Sequence, residues 1–160
     1  MQRILILCVG KMKEKFYIEA AAEYQKRLSP FCNLEIVELP EERLPKDPSQ
    51  AQIDAALSKE AEAIRKKLPP RTALIALCIE GQLWSSKDLA QHIRCWGAHQ
   101  ENRLAFLIGG SNGLHPSIKA EAWARMSMSP MTFPHHLARV MLLEQIYRTY
   151  QINGGTKYHK

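Results

Sequence analysis

Two short stretches of this chain carry residue types that do chemistry. The first is "FLIGGSNGLH", residues 106 to 115, where an apolar run breaks into Gly109, Gly110, Ser111, Asn112 and Gly113. Glycines directly after a strand let backbone approach a ligand closely. The second is the terminal "KYHK", in which Tyr158 and His159 set a phenol and an imidazole between Lys157 and Lys160. Histidine is the side chain that accepts a proton near neutral pH. Tyrosine can donate to a carbonyl as negative charge develops on it, or stack on a flat ring. Gly154 and Gly155 precede them, so residues 154–160 read as a mobile C-terminal tail.

The glycine loop matches neither common nucleotide pattern. A phosphate-cradling loop needs a lysine at a fixed distance beyond its glycines, and none follows Gly109 or Gly110. A dinucleotide fingerprint opens the helix of the first strand–helix–strand unit, whereas this loop comes after the fourth strand. Gly109, Ser111 and Gly113 do satisfy the serine-hydrolase elbow spacing. The triad would then need Glu121 or Glu144 with His159, which makes a hydrolase a weak third reading. A plain turn would also use these glycines.

His135 and His136 are adjacent rather than one helical turn apart, so they are not read as a metal pair, and no metal site is expected. Arg139 follows them on the same helix with its role left open by the residues alone, and Glu144 with Arg148 reads as a salt bridge one turn apart. Cys8, Cys32, Cys78 and Cys95 fall singly and read as reduced, structural thiols.

Strands and helices must position these groups. "RILILCVG" is a continuous apolar run, as in a strand covered on both faces. Phe16, Tyr17, Ala20, Ala21, Tyr24 and Leu28 recur at helical spacing until Pro30 intervenes. "LEIVEL" alternates as a strand, and the proline-rich "PEERLPKDPS" reads as an irregular surface loop. Ser49 with Gln52, and Ser85 with Asp88, have the spacing of capping boxes opening two further helices. "TALIALCI" and "LAFLIGG" give the third and fourth strands, "ARMSMS" a short fifth, and Pro134 to about Asn153 a long helix. That helix has apolar residues on nearly every side, which predicts burial against a second subunit through an outward member such as Leu142. The expected fold is one α/β domain over residues 1–160. It has a mostly parallel five-stranded sheet and five helices on its two faces.

The composition suits such a domain, with 46% hydrophobic and 24% charged residues in 160. No apolar run approaches the ~18–20 residues that span a bilayer, so a cytoplasmic protein is expected. The formal charge of +6 favours a polyanionic partner, nucleic acid above all.

Three motifs in order carry a more specific signal: "GGSNGLH", "MSMSPMTFPHHLARVMLLEQIYR" and "KYHK". With "ILILCVGKMKEKFY" and "LCIEGQLWSS", they resemble the RlmH group of SPOUT methyltransferases over essentially the whole chain. That resemblance implies a deep trefoil knot in the C-terminal half and a homodimer. It also implies S-adenosylmethionine-dependent methylation of N3 of a pseudouridine in 23S ribosomal RNA, on free RNA or on the ribosome. Carried over residue by residue, it assigns cofactor contacts to Leu77, Gly109 and the run Met128, Ser129, Pro130, Met131, Thr132 and Phe133. Tyr158 and His159 become the catalytic pair, and Arg139 and Lys160 candidate RNA contacts. Two positions depart from relatives: Pro130 lacks a backbone donor, and Lys160 cannot form arginine's fork on phosphate. A non-catalytic, ribosome-associated RNA-binding protein on the same fold is the alternative from another class.

Overall fold

The computed structural model describes residues 1–98 and 103–160. Along them run β1 (Gln2–Val9), α1 (Lys15–Leu28), β2 (Cys32–Leu39), α2 (Gln50–Lys67) and β3 (Ala73–Leu83). They are followed by α3 (Ser86–Ala98), β4 (Arg103–Ile108), α4 (Pro116–Glu121), β5 (Ala124–Ser127) and α5 (His135–Asn153). The strands form one sheet in the order β2-β1-β4-β3-β5, and every pairing is parallel.

The unbroken apolar runs have the structural consequence expected of them. Ile4, Ile6 and Cys8 of β1 enter a core shared with α1, α3 and α5, while Leu5, Leu7 and Val9 enter a second core beneath α2 and α4. Each such aliphatic side chain contributes about 1.5–3 kcal/mol on full burial. Edge strand β2 alternates as far as Ile36, with Cys32, Leu34 and Ile36 on the first core, and its end adds Val37 and Leu39 to the second.

Both capping boxes are present. Ser49 and Gln52 bond reciprocally at the start of α2, and Ser85 and Asp88 do so ahead of α3. The one helix that periodicity does not locate is α4, only six residues long, with Pro116 in its first turn and His115 Nδ1 accepting from the Ser117 N–H. A segment that short carries no repeat to detect.

Two expectations need correction. Leu142 points into the monomer rather than outward: it is 0% exposed and packs with Leu143 and Ile146 against α1 and α3. The half-buried side of α5 carries Val140, Met141 and Tyr147 instead. Likewise, β3 runs past Ile79 to Leu83, but not as one continuous ladder. Leu77 and Gln82 both face Met126 of β5, so residues 78–81 leave the register as an excursion. The excursion returns at Gly81, where a Cβ would lie 2.8 Å from the Arg125 carbonyl. Only glycine fits there.

All five strands point their carboxyl ends to one edge. In open α/β sheets that edge is where ligands bind, because the strand-to-helix loops converge there.

Candidate active site

A cavity of about 650 Å³ opens at the carboxyl edge, inside the ~300–1,000 Å³ usual for small-molecule sites. Three segments wall it: the end of β3 with its excursion, the glycine loop after β4, and the run after β5. Leu77, Gly109, Met128, Ser129, Met131, Thr132 and Phe133, drawn from all three, are brought together there. Pro130, expected beside them, is not among the lining residues.

The glycine loop is shaped chiefly by its own backbone. Gly113 adopts φ +76° and donates to the Gly110 carbonyl at 3.1 Å. A Cβ on Gly109 would sit 2.5 Å from the Gly113 oxygen. So Gly109 is required by the loop's return, before any ligand arrives. Glu41, from the proline-rich loop after β2, accepts from the Ser111 N–H at 2.8 Å. A Cβ on Gly110 would meet that carboxylate at 2.7 Å. Sequence reasoning missed Glu41 because 70 positions separate it from Ser111 and no spacing links them.

The run after β5 is held by serines. Ser127, 1% exposed, donates to the Ser129 carbonyl at 3.0 Å, and the Met131 N–H donates to Ser129 Oγ at 3.0 Å. Met131 itself is 71% exposed, an apolar side chain left standing at the cavity wall. Cys78 is also on the wall, half-buried, its thiol pushed up first by burial. Cys8 and Cys32 are buried as structural thiols should be, whereas Cys95 is exposed.

Two charged side chains line the cavity that periodicity could not have paired. Lys119 of α4 donates to Glu80 of the excursion, and that hydrogen bond is the main reason the Glu80 carboxyl is held below the ordinary carboxylate range.

Arg139 is not a surface residue. It is 4% exposed, pairs with Glu38 at 2.8 Å and reaches the Gly10 carbonyl at 3.3 Å. Its guanidinium therefore braces the start of α5 against β1 and β2, out of reach of an RNA backbone. Glu38 also accepts from the Met12 N–H at 2.8 Å. Burial works to raise this carboxyl, but the Met12 and Arg139 bonds outweigh it and hold it low.

The tail lies elsewhere. Instead of trailing away after Gly154, it folds back on α5. Tyr158 Oη donates to Glu144 at 3.3 Å, and its ring is 4.9 Å from the Arg148 guanidinium carbon and 5.1 Å from the Tyr147 ring. His159 Nδ1 lies 3.2 Å from Arg148 Nη1. A guanidinium can only donate, so Nδ1 accepts and its lone pair is engaged. Glu144 meanwhile pairs with Arg148 at 2.6 Å, the expected bond one turn apart. Neither Tyr158, His159 nor Lys160 lines the cavity. The hydrolase triad is not assembled either: Glu121 is held by Arg65, Glu144 by Arg148, and neither they nor His159 join Ser111 on the cavity wall.

Among the described residues no group of His, Cys, Asp or Glu could hold a metal ion, and no helix is long and apolar enough to cross a membrane. A wholly parallel α/β sheet with a glycine-backed, largely apolar cavity at its carboxyl edge defines the class of open α/β proteins that carry a small-molecule site at that edge. Within that class, the family model described as predicted SPOUT methyltransferase matches residues 2–159. The chain belongs to that family. SPOUT methyltransferases take their methyl group from S-adenosylmethionine.

Proposed function

We propose that this chain transfers a methyl group from S-adenosylmethionine to N3 of a pseudouridine in 23S ribosomal RNA, acting on the assembled ribosome as a cytoplasmic homodimer. One observation carries the reading: residues from three separate segments, named by the resemblance, line a single cavity of suitable size. The wall fits the cofactor's chemistry. Leu77, Met131 and Phe133 offer apolar surface to adenine, and the glycine loop offers backbone groups to the ribose. When bound, S-adenosylmethionine supplies an electrophilic methyl on a sulfonium.

The chain's own residues must align the acceptor and deal with its proton, since an imide nitrogen is protonated at neutral pH. Alignment alone lowers such barriers by up to about 7–11 kcal/mol, and a positioned base adds about 10²–10⁴-fold. Tyr158 and His159 are the groups suited to this. On α5 both are engaged, so the tail acts only after leaving Glu144 and Arg148. Gly155, at φ +70°, is the place where that swing begins. Released, His159 recovers its Nδ1 lone pair for the imide proton, and Tyr158 is freed to meet a uracil carbonyl. Lys160, exposed at the end of the same segment, offers phosphate a point charge.

A homodimer is supported by apolar surface around α1. Phe16 is 63% exposed, Ile18 46% and Phe31 38%, the last with its ring against Tyr147 and Tyr150 of α5. The knot implied by the resemblance belongs to this proposal as well. The deciding experiment pairs calorimetry of S-adenosylmethionine with methylation of naked 23S RNA, large subunits and whole ribosomes. Binding with methyl incorporation at a pseudouridine N3 in ribosomes is expected; binding without incorporation in any substrate would leave a non-catalytic RNA-binding protein.

A further inference from the structure

The cavity wall is almost wholly uncharged, and that makes its exceptions informative. Of the residues lining it, Glu80 carries the one carboxylate and Lys119 the one ammonium group. They come from separate elements 39 positions apart and meet at the wall. Their side chains are 60% and 24% exposed, an arrangement in which an ion pair contributes little to stability. Stability therefore gives no strong reason for placing both charges here. The Lys119 hydrogen bond first, and the Arg125 charge on β5 as a smaller contribution, hold the Glu80 carboxyl below the ordinary carboxylate range.

S-adenosylmethionine, the cofactor of the reading above on which this inference rests, is likewise uncharged over its adenosine. Its amino-acid end is a zwitterion, with an ammonium and a carboxylate on one carbon. We propose that Lys119 and Glu80 form the seat for that zwitterion, Lys119 taking the carboxylate and Glu80 the ammonium. The adenosine is then left to Leu77, Met131, Phe133 and the glycine backbone. The pair opens to admit two charges of opposite sign, so each side chain exchanges one charge-assisted bond for another and neither is left unpaired.

The seat makes a selectivity prediction that needs no turnover. Three ligands separate the terms. S-adenosylmethionine has the zwitterion and the sulfonium, S-adenosylhomocysteine the zwitterion alone, and 5′-methylthioadenosine neither. By calorimetry, the wild type should bind the first two at least ~10-fold more tightly than the third, the scale of one charge-assisted hydrogen bond. Lys119→Met and Glu80→Gln should weaken the first two by about 10- to 100-fold and the third by less than about twofold. Lys119→Arg, which keeps the charge, should recover most of the loss. Circular dichroism melts establish that each variant is folded.

Equal losses for all three ligands, or no loss for any, would overturn the seat. So would a Glu80→Gln loss confined to S-adenosylmethionine, because the carboxylate would then face the sulfonium. A wild type that binds 5′-methylthioadenosine as tightly as S-adenosylhomocysteine overturns the seat and leaves the cofactor reading standing. A wild type that binds none of the three overturns the cofactor reading itself.

Discussion

The carboxyl-edge loops and the C-terminal tail hold their shapes by different means. The loops are fixed chiefly by backbone packed on backbone, Gly109 against Gly113 and Gly81 against Arg125, with the Glu41 carboxylate accepting from the Ser111 N–H. Beyond Thr156, whose N–H still donates to the Gln151 carbonyl, the tail is held by side chains, with Tyr158 and His159 leaning on Glu144, Arg148 and Tyr147. Backbone constraints of this kind tolerate no larger residue and leave few alternative conformations. Side-chain contacts on a half-exposed helix face are individually weak and separable. The proposed function would use the two differently, the preformed cavity to hold cofactor and the separable tail to meet the acceptor.

The largest expected effect comes from forcing the rigid region. Gly109→Val drives a side chain into the Gly113 carbonyl and should lower S-adenosylmethionine affinity by at least ~100-fold, about 2.7 kcal/mol. Calorimetry on folded protein tests it, and near-wild-type affinity would mean that the loop is as yielding as the tail. Next comes deletion of residues 156–160. It should leave cofactor affinity within a few-fold while methylation of ribosomes falls by at least ~100-fold, the low end for a lost acid–base group. His159→Ala refines this, because a missing base is partly replaced at high pH, where the imide ionises unaided. Loss of rate with no recovery up to pH 9–10, roughly where such an imide ionises, would assign the base elsewhere.

A smaller effect sharpens the comparison through Glu38, which with Arg139 braces the edge. Its folded carboxyl is held below the unfolded value, so its stabilisation is full above the ordinary carboxylate range, near ~4.3, and is lost as pH falls through the lower folded value. Glu38→Gln should therefore cost about 1–3 kcal/mol at pH 7, with the deficit closing on acidification. Thermal melts from pH 7 downward measure it; a deficit independent of pH would show that packing, not charge, is lost. The smallest effect is that of Glu144→Gln. It should change stability by less than about 1 kcal/mol, yet raise amide exchange at residues 156–160 and leave cofactor affinity unchanged. A change in affinity would couple the two regions and break the distinction between them.

The same contrast explains what the sequence disclosed. The positions of the five strands along the chain, their mostly parallel sense, both capping boxes and the glycine loop were legible because they rest on local patterns: apolar runs, the Ser–Gln and Ser–Asp spacings, and Gly109 to Gly113; the order of the strands in the sheet was not. The residues gathered at the cavity came from resemblance, not periodicity, since Leu77, Met131 and Phe133 look like core residues in isolation. Glu41, Glu80 and Lys119 stayed hidden because each acquires its role from a partner far along the chain. Arg139 and Leu142 were misjudged for a related reason. Their helix is apolar on so many sides that its pattern does not reveal which face meets the sheet, and the two residues sit on the inner one.

Residues 78–81 belong to no rung of the ladder, because Leu77 and Gln82 share Met126 as their partner. A wall made from chain that the sheet does not count can be lengthened, shortened or rewritten while the strands on either side keep their neighbours. The excursion is anchored at Gly81, where it rejoins β5. A substitution at Cys78, Ile79 or Glu80 therefore changes the cavity wall without removing a rung between β3 and β5.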